Sequence, residues 1–368
     1  MTTIGIDASR AVSAMPTGTE GYSYHLIRAL VPRLRPDADV RLYFRALPPA
    51  GLFPDTEHRV IPCPRLWTHL RLSWEMTRRP PDLLFVPAHV LPLVRPRRTV
   101  VTIHDLGYRY FPEAHPPAQR LYLHLSTRWN VRVADQIIAD SEATRSAIIR
   151  EYDAPAEKIA VVYPGYDRSL HPLRDGRRRD DALARYGING PYILHLGRIQ
   201  PRKNLVRLVD AFMRVYPDHP DLLLVLAGPT GWLAEPIRTR VEALGLQGRV
   251  LFPGYIRQED KVALISGALC FAFPSLYEGF GFPVLEAQAC GVPVLTSNTS
   301  SLPEVAGEGA LLVSPVDTEA IAQGLRQLLE DNRLRARLVV RGELNLTRFS
   351  WERAARQITG LIEKWATN

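Results

Sequence analysis

Cysteine is scarce in this chain: 368 residues include only Cys63, Cys270 and Cys290. None stands beside a second Cys or a His at the spacing that a zinc site or a disulfide framework needs. A metal-stapled or disulfide-stapled fold is therefore not expected, and a reducing cytoplasm fits best. Long hydrophobic runs are also missing. No apolar stretch reaches about 18 residues without polar interruption, which argues against membrane spans, and Met1–Asp7 lacks the basic start and apolar stretch of a secretion signal. Neither Ile4-Gly-Ile-Asp-Ala-Ser-Arg10 nor His195-Leu-Gly-Arg198 supplies the Gly-x-Gly-x-x-Gly turn of a nicotinamide-dependent dehydrogenase. Basic patches interleaved with aromatics are absent as well, so no nucleic-acid partner is expected.

The length of 368 residues exceeds the roughly 250–300 at which one core usually stops growing, and two domains are the natural expectation. Short runs of Val, Ile and Leu alternate with amphipathic segments throughout, the pattern of parallel sheets covered by helices. Strands are expected near Ile4–Ile6, Val40–Phe44, Leu83–Val86, Thr99–Ile103, Gln136–Ala139 and Ile159–Val162. A second set is expected near Tyr192–Leu196, Leu222–Leu226, Val250–Phe252, Leu269–Phe273 and Val292–Leu295. The polar stretch His171–Asp181 shows no apolar period and is expected to be a linker. Residues 1–172 then form one domain and 182–348 the other. The helix pattern opening on Ser350 and carrying Trp351, Ala355, Ile358 and Ile362 on one face is expected to close the molecule, so that 351–368 rejoin the first domain.

Several of these strands end in polar residues: Asp7, His104-Asp105, Asp140-Ser141 and Arg198. Ligands of open α/β sheets bind beyond the carboxyl ends of strands, so these residues are candidates for one shared cleft, although Ser141 equally suits the cap of a helix over Glu142–Tyr152. In Phe273-Pro-Ser-Leu-Tyr-Glu278-Gly-Phe-Gly281-Phe-Pro283, a buried strand runs into a glycine loop and then a helix, with Pro283 early in it and Gly291 past its end. The amino terminus of that helix suits a phosphate. Glu286, expected in the first helical turn, and Glu278 on the loop would repel an anion, and accepting hydrogen bonds from sugar hydroxyls gives them a purpose. Gly197-Arg198 with Arg202-Lys203-Asn204 places cations where a helix begins. Such a placement is unfavourable unless an anion neutralises it, and a diphosphate is the natural candidate.

These motifs, with Pro274-Ser275, Ser301-Leu-Pro-Glu-Val305 and the Trp351 helix, resemble the retaining GT-B glycosyltransferases of family four. The resemblance covers nearly the whole chain. It implies two Rossmann-like domains facing across a cleft, and transfer of a sugar from a nucleoside diphosphate sugar to an acceptor hydroxyl with retention at the anomeric carbon. Arg198 and Lys203 would hold the diphosphate, Glu278 the donor sugar and Glu286 the ribose. Amides of Gly279, Phe280, Gly281 and Phe282 would touch sugar and phosphates, Gly254-Tyr255-Ile256 the base, and His104 the sugar from the first domain. The turn Thr17-Gly18-Thr-Glu20-Gly21 departs from the glycine spacing of many relatives: Gly18 still permits a tight approach, while Glu20 suits the acceptor.

No cofactor and no metal are called for, because protein cations and helix amides fill the metal's role. GDP-mannose, UDP-glucose and dTDP-deoxysugars all suit the donor residues, and the acceptor is open among glycan, glycolipid and small molecule, with polysaccharide synthesis as the setting. A nucleotide-sugar epimerase or hydrolase on the same architecture, or a noncatalytic scaffold, remains as an alternative. The net charge of +8 and the arginines between Arg59 and Arg98 suit either a solvated face or a membrane or acceptor surface, compatible with a place at the inner face of a membrane.

Overall fold

The computed structural model describes residues 2–12, 18–54, 56–63, 65–88 and 90–366. The chain divides into two units, one formed by Met1–Arg109, Pro117–Gly165 and Phe349–Asn368, the other by Tyr110–Pro116 and Tyr166–Arg348.

The first unit is built on a parallel seven-stranded sheet in the order β3-β2-β1-β4-β5-β6-β7. Its strands are β1 (Thr2–Asp7), β2 (Ala38–Phe44), β3 (Glu57–Val60), β4 (Leu83–Val86), β5 (Arg98–Ile103), β6 (Gln136–Ala139) and β7 (Ile159–Val161). The second unit carries a six-stranded sheet ordered β10-β9-β8-β11-β12-β13, with β8 (Tyr192–Leu196), β9 (Leu223–Ala227), β10 (Val250–Gly254), β11 (Cys270–Phe273), β12 (Val294–Ser297) and β13 (Ala310–Val313). Its strands pair in parallel throughout. Strand order reverses direction between β1 and β4 in one unit and between β8 and β11 in the other, and loops leaving adjacent strands diverge at such points to leave a crevice. Each central strand is apolar and buried on both faces, as crossover helices require.

Two strands escape the sequence reading. Glu57–Val60 pairs only with β2 and Ala310–Val313 only with β12; both are partly exposed sheet edges, and Glu57–Val60 carries too little apolar sequence to stand out, whereas Ala310–Val313 is a short apolar run that the sequence reading passes over.

The expected linker is a second departure, because a helix, Gly176–Arg185, begins inside it. Asp175 caps this helix by accepting from the Arg178 amide, and Ala182 is its one buried residue. Polar contacts hold it instead: Arg185 pairs with Asp260, and Tyr186 Oη donates to Asp260 Oδ2 at 2.9 Å. A helix anchored in this way has no apolar stripe to read.

The last helix, Trp351–Ala366, packs on the helix Gly18–Leu34 of the first unit. Trp351, Ala354, Ala355, Ile358 and Ile362 are buried there, and the Ser350 hydroxyl accepts from the Arg353 amide at 3.1 Å, so both the face and the start agree with the sequence pattern. Trp351 stacks on His25 at 5.5 Å between ring centroids and meets Tyr22 edge-on at 5.7 Å. Gly165 makes this packing possible, since a Cβ there would lie 2.3 Å from the Trp351 backbone nitrogen. Among the described residues, no helix is long and apolar enough to cross a membrane.

Candidate functional site

In the second unit, the chemistry gathers where β8 and β11 end. β8 delivers His195, Gly197 and Arg198. His195 is fully buried, with Nδ1 3.1 Å from the Ala272 carbonyl oxygen and its ring stacked on Phe273. Burial and the nearby Lys203 ammonium push its pKa down to about 3, so it is a neutral imidazole carrying its proton on Nδ1. Arg198 is exposed and has no hydrogen-bond or ion-pair partner among the described residues.

A short 3-10 turn, Pro201–Lys203, follows. Asn204 adopts a left-handed conformation and donates to the Pro274 and Pro315 carbonyls at 3.0 and 2.6 Å, which fixes the turn against the loop after β11. Lys203 Nζ then lies 2.6 Å from Glu278 Oε1 and 4.7 Å from the Phe273 ring centre. Arg202 Nη1 reaches Glu278 Oε2 at 3.2 Å and the Tyr277 carbonyl at 2.8 Å, and Ser275 Oγ donates to Glu278 Oε1 at 2.6 Å. Burial pushes the Glu278 pKa up, but Arg202 and Lys203 outweigh it and hold the carboxyl below its ordinary value. Glu278 is thus a buried, ionised acceptor.

That geometry corrects one step of the sequence argument. The anion that balances Lys203 near the helix start need not come from a ligand, because Glu278 supplies it. Arg202, counted from the sequence among the cations at the helix start but given no role of its own, is the second cation of the cluster.

The loop itself is pinned by serines. The Glu278 amide donates to Ser300 Oγ at 3.0 Å, and Ser301 Oγ lies 2.9 and 2.6 Å from the carbonyl oxygens of Glu278 and Phe280, which gives the Ser301-Leu-Pro-Glu-Val305 segment a structural task. Gly281 caps the helix Phe282–Ala289 at φ +117°, where a Cβ would also approach Leu302 to 2.9 Å; both facts require glycine. Gly279, Phe280 and Phe282 lie along this pinned stretch. Glu286 is the fifth residue of the helix, past its first turn, because the helix begins at Phe282. It pairs with Lys261 at 2.6 Å, a residue no sequence motif singled out. β10 ends at Gly254, with φ +74°, followed by an exposed Tyr255 and a buried Ile256.

In the first unit, His104 follows β5. Its Nδ1 lies 2.6 Å from Asp140 Oδ2 and its Nε2 3.0 Å from the Pro87 carbonyl oxygen. Its burial lowers the pKa, but the Asp140 carboxylate, aided by Asp105 and the Pro87 oxygen, raises it above the ordinary histidine value. Both nitrogens face acceptors, so the protonated ring can donate from each N–H, which is the form the Asp140 carboxylate favours. Tyr22 packs edge-on against it at 4.7 Å, and Thr144 Oγ1 donates to its carbonyl at 3.2 Å. Ser141 proves to be the cap of Glu142–Tyr152, accepting from the Thr144 amide at 3.0 Å. Asp140, visible in the sequence only as a polar strand end, orients the histidine.

Because the folded-state pKa of His104 is raised, the stability that its pairing contributes is complete below the ordinary value of 6.5 and is lost as pH rises through the raised one. Asp140→Asn should therefore flatten the decline of stability between neutral and alkaline pH, as read by thermal melts. An unchanged slope would mean that the pair does not titrate in this way. At the start of the helix Gly18–Leu34, Gly18 is the first described residue of its turn; Thr17 lies outside the described residues. Glu20 pairs with Arg10 at 3.1 Å.

Two doubly wound parallel units, with an arginine- and lysine-held carboxylate at the switch point of the second, define a class of α/β proteins whose ligands bind beyond the carboxyl ends of the strands. Residues 16–170 match Glycosyltransferase Family 4, and residues 179–344 match Glycosyl transferases group 1. The O-antigen chain mannosyltransferase B of Escherichia coli is 34% identical over 298 residues, covering 80% of this chain and 77% of that protein. A D-inositol 3-phosphate glycosyltransferase of Corynebacterium glutamicum is 31% identical over 244 residues, 64% of this chain and 58% of that one. Among solved structures, sucrose-phosphate synthase from Thermosynechococcus elongatus superposes with a TM-score of 0.78 at 22% identity, covering 99% of both chains. HepE of Anabaena, in complex with UDP and glucose, gives 0.76 at 21% identity and the same coverage.

The chain belongs to glycosyltransferase family four, with the GT-B fold. It is a retaining glycosyltransferase that uses a nucleotide-sugar donor, which decides against the epimerase, hydrolase and scaffold alternatives.

Proposed function

We propose that the protein transfers mannose from GDP-mannose to a hydroxyl of a growing surface polysaccharide, from the cytoplasmic side. The observation that carries the donor reading is the ionised Glu278, locked by Lys203, Arg202 and Ser275, with an exposed, unpartnered Arg198 following the neighbouring strand β8. The carboxylate accepts three hydrogen bonds within the protein and keeps one acceptor site, on Oε2, for a sugar hydroxyl, and an exposed guanidinium suits the diphosphate. The mannosyl choice and the polysaccharide acceptor rest on the likeness to the O-antigen enzyme.

In this reading Arg198 and Lys203 neutralise charge on the leaving diphosphate, Glu278 grips the sugar and Glu286 the ribose. The base lies along Gly254-Tyr255-Ile256, and the helix start from Gly279 through Gly281 to Phe282 faces the phosphates. Gly18 allows close approach of substrate to the first unit. His104 is assigned to the donor sugar on family likeness. With both its N–H groups engaged, what it has left to contribute is positive charge, so Asp140→Asn, which weakens that charge, should lower turnover about tenfold without changing nucleotide affinity. Unchanged turnover would count against the assignment.

Calorimetric titration with GDP, UDP and dTDP, followed by their sugars, tests the donor: GDP-mannose should bind most tightly, and a preference for a UDP-sugar would overturn the mannosyl choice. Activity should survive EDTA, since protein cations are placed to meet the leaving group. Loss of activity that Mg²⁺ or Mn²⁺ restores would refute this.

A further inference from the structure

The arginine-rich stretch of the first unit coincides with a concentration of exposed apolar side chains. A π-helical turn, Thr68–Leu72, runs directly into the helix Ser73–Arg78. Along it Leu66, Leu70 and Trp74 recur at four-residue spacing, each with more than half its surface exposed, while Trp67, Leu72 and Met76 point inward and are buried. The guanidinium of Arg78 covers the Trp74 ring at 5.8 Å.

Two connections extend this stripe. The Ser73 hydroxyl accepts from the amides of Leu93 and Val94, at 3.0 and 3.3 Å, which brings that exposed pair alongside. His69 meets Tyr122 at 3.3 Å, joining the helix Pro117–Val133. That helix buries Thr127, Asn130 and Val131. It presents Leu121, Leu125, Arg128 and Arg132 to solvent at positions i, i+4, i+7 and i+11, which form one stripe.

A solvated helix face does not usually carry Leu, Leu, Trp, Leu and Leu, and a patch this broad marks an interaction site. Its charge chooses the partner. Arg71, Arg78, Arg97 and Arg128 have no acidic partner among the described residues, and Glu75, the acidic residue within the stripe, is buried. Leucines and a tryptophan, edged by unpaired arginines and borne on short helices, match what a protein lays into the headgroup region of an anionic bilayer. We propose that this face docks the protein on a membrane rich in anionic lipid. The apolar side chains enter the interface, and the arginines meet lipid phosphates.

The test is flotation of the full chain with vesicles of phosphatidylcholine alone and of phosphatidylcholine with about 30% phosphatidylglycerol, at 50 mM and 500 mM salt. Binding should occur on the anionic vesicles, at least tenfold more tightly than on neutral ones, and should weaken at high salt. The triple variant Leu70→Ser, Trp74→Ser, Leu125→Ser and the triple variant Arg71→Gln, Arg78→Gln, Arg128→Gln should each lose tenfold or more while melting like the parent. No binding by the parent, equal binding to both vesicles, or parental binding by both variants would overturn the proposal. So would a parent that self-associates without binding vesicles and whose variants become monomeric, because the face would then belong to a second copy. The vesicle readout does not involve the donor residues, so its failure leaves the glycosyl-transfer reading untouched.

Discussion

Glu278→Gln should reduce sugar transfer by about 10²–10³-fold, the range seen when a preorganised electrostatic contact to the reacting group is removed, while the affinity for plain nucleoside diphosphate is unchanged or rises by as much as about tenfold. The two directions differ because of what Glu278 holds. Its carboxylate balances Lys203 at 2.6 Å and Arg202 at 3.2 Å. A neutral amide releases both cations' fields toward the diphosphate, where attraction increases, while removing the acceptor proposed for the sugar hydroxyls. Removing one partner of a buried ion pair should also cost stability, about 3 kcal/mol. Calorimetry with nucleoside diphosphate, run beside a transfer assay, separates these effects. A parallel loss of both would move Glu278 from the sugar to the nucleotide.

Gly165→Ala should be the most damaging small substitution in the first unit. A methyl group there would sit 2.3 Å from the Trp351 backbone nitrogen and 2.7 Å from its ring, distances at which the last helix must shift. Overpacking against backbone costs about 3 kcal/mol, or a fall of roughly 6–12 °C in the melting transition of a domain this size. Gly360→Ala is the matched control: it lies on the same helix, and an added Cβ would meet nothing within 4 Å, so it should be neutral or stabilising by up to about 1 kcal/mol. Equal melting of the two variants would show that the approach of Gly165 to Trp351 is looser than described.

The central strands were legible because burial on both faces writes continuous apolar runs, and the last helix because its buried face repeats at helical spacing. Glu57–Val60 was not, since an edge strand needs little apolar sequence, and the edge strand Ala310–Val313, although apolar, is only four residues long and was passed over. The helix Gly176–Arg185 was hidden because Asp260, far along the chain, holds its end. At the site, the glycines, prolines and charges drew attention to the loops after β8 and β11, but their pairing was invisible. Lys203 and Glu278 stand 75 positions apart and meet only because β8 lies beside β11. The same holds for His104 and Asp140, delivered by neighbouring strands β5 and β6. Sequence gave the residues at the ends of strands; register alone says which of them become partners.

The division of the chain also bears on how the molecule is made. The first unit is finished by Phe349–Asn368, whose helix covers Gly18–Leu34 and places Trp351 against Tyr22. On a ribosome, Tyr22 and the helix that carries it therefore wait for their cover while all of Tyr166–Arg348 is translated, a delay of tens of seconds at ~5–20 residues per second. The second unit, continuous but for Tyr110–Pro116, can condense as it emerges. The order of completion is thus the reverse of the order of synthesis, and the nascent first unit is the stage at which a chaperone has most to shield.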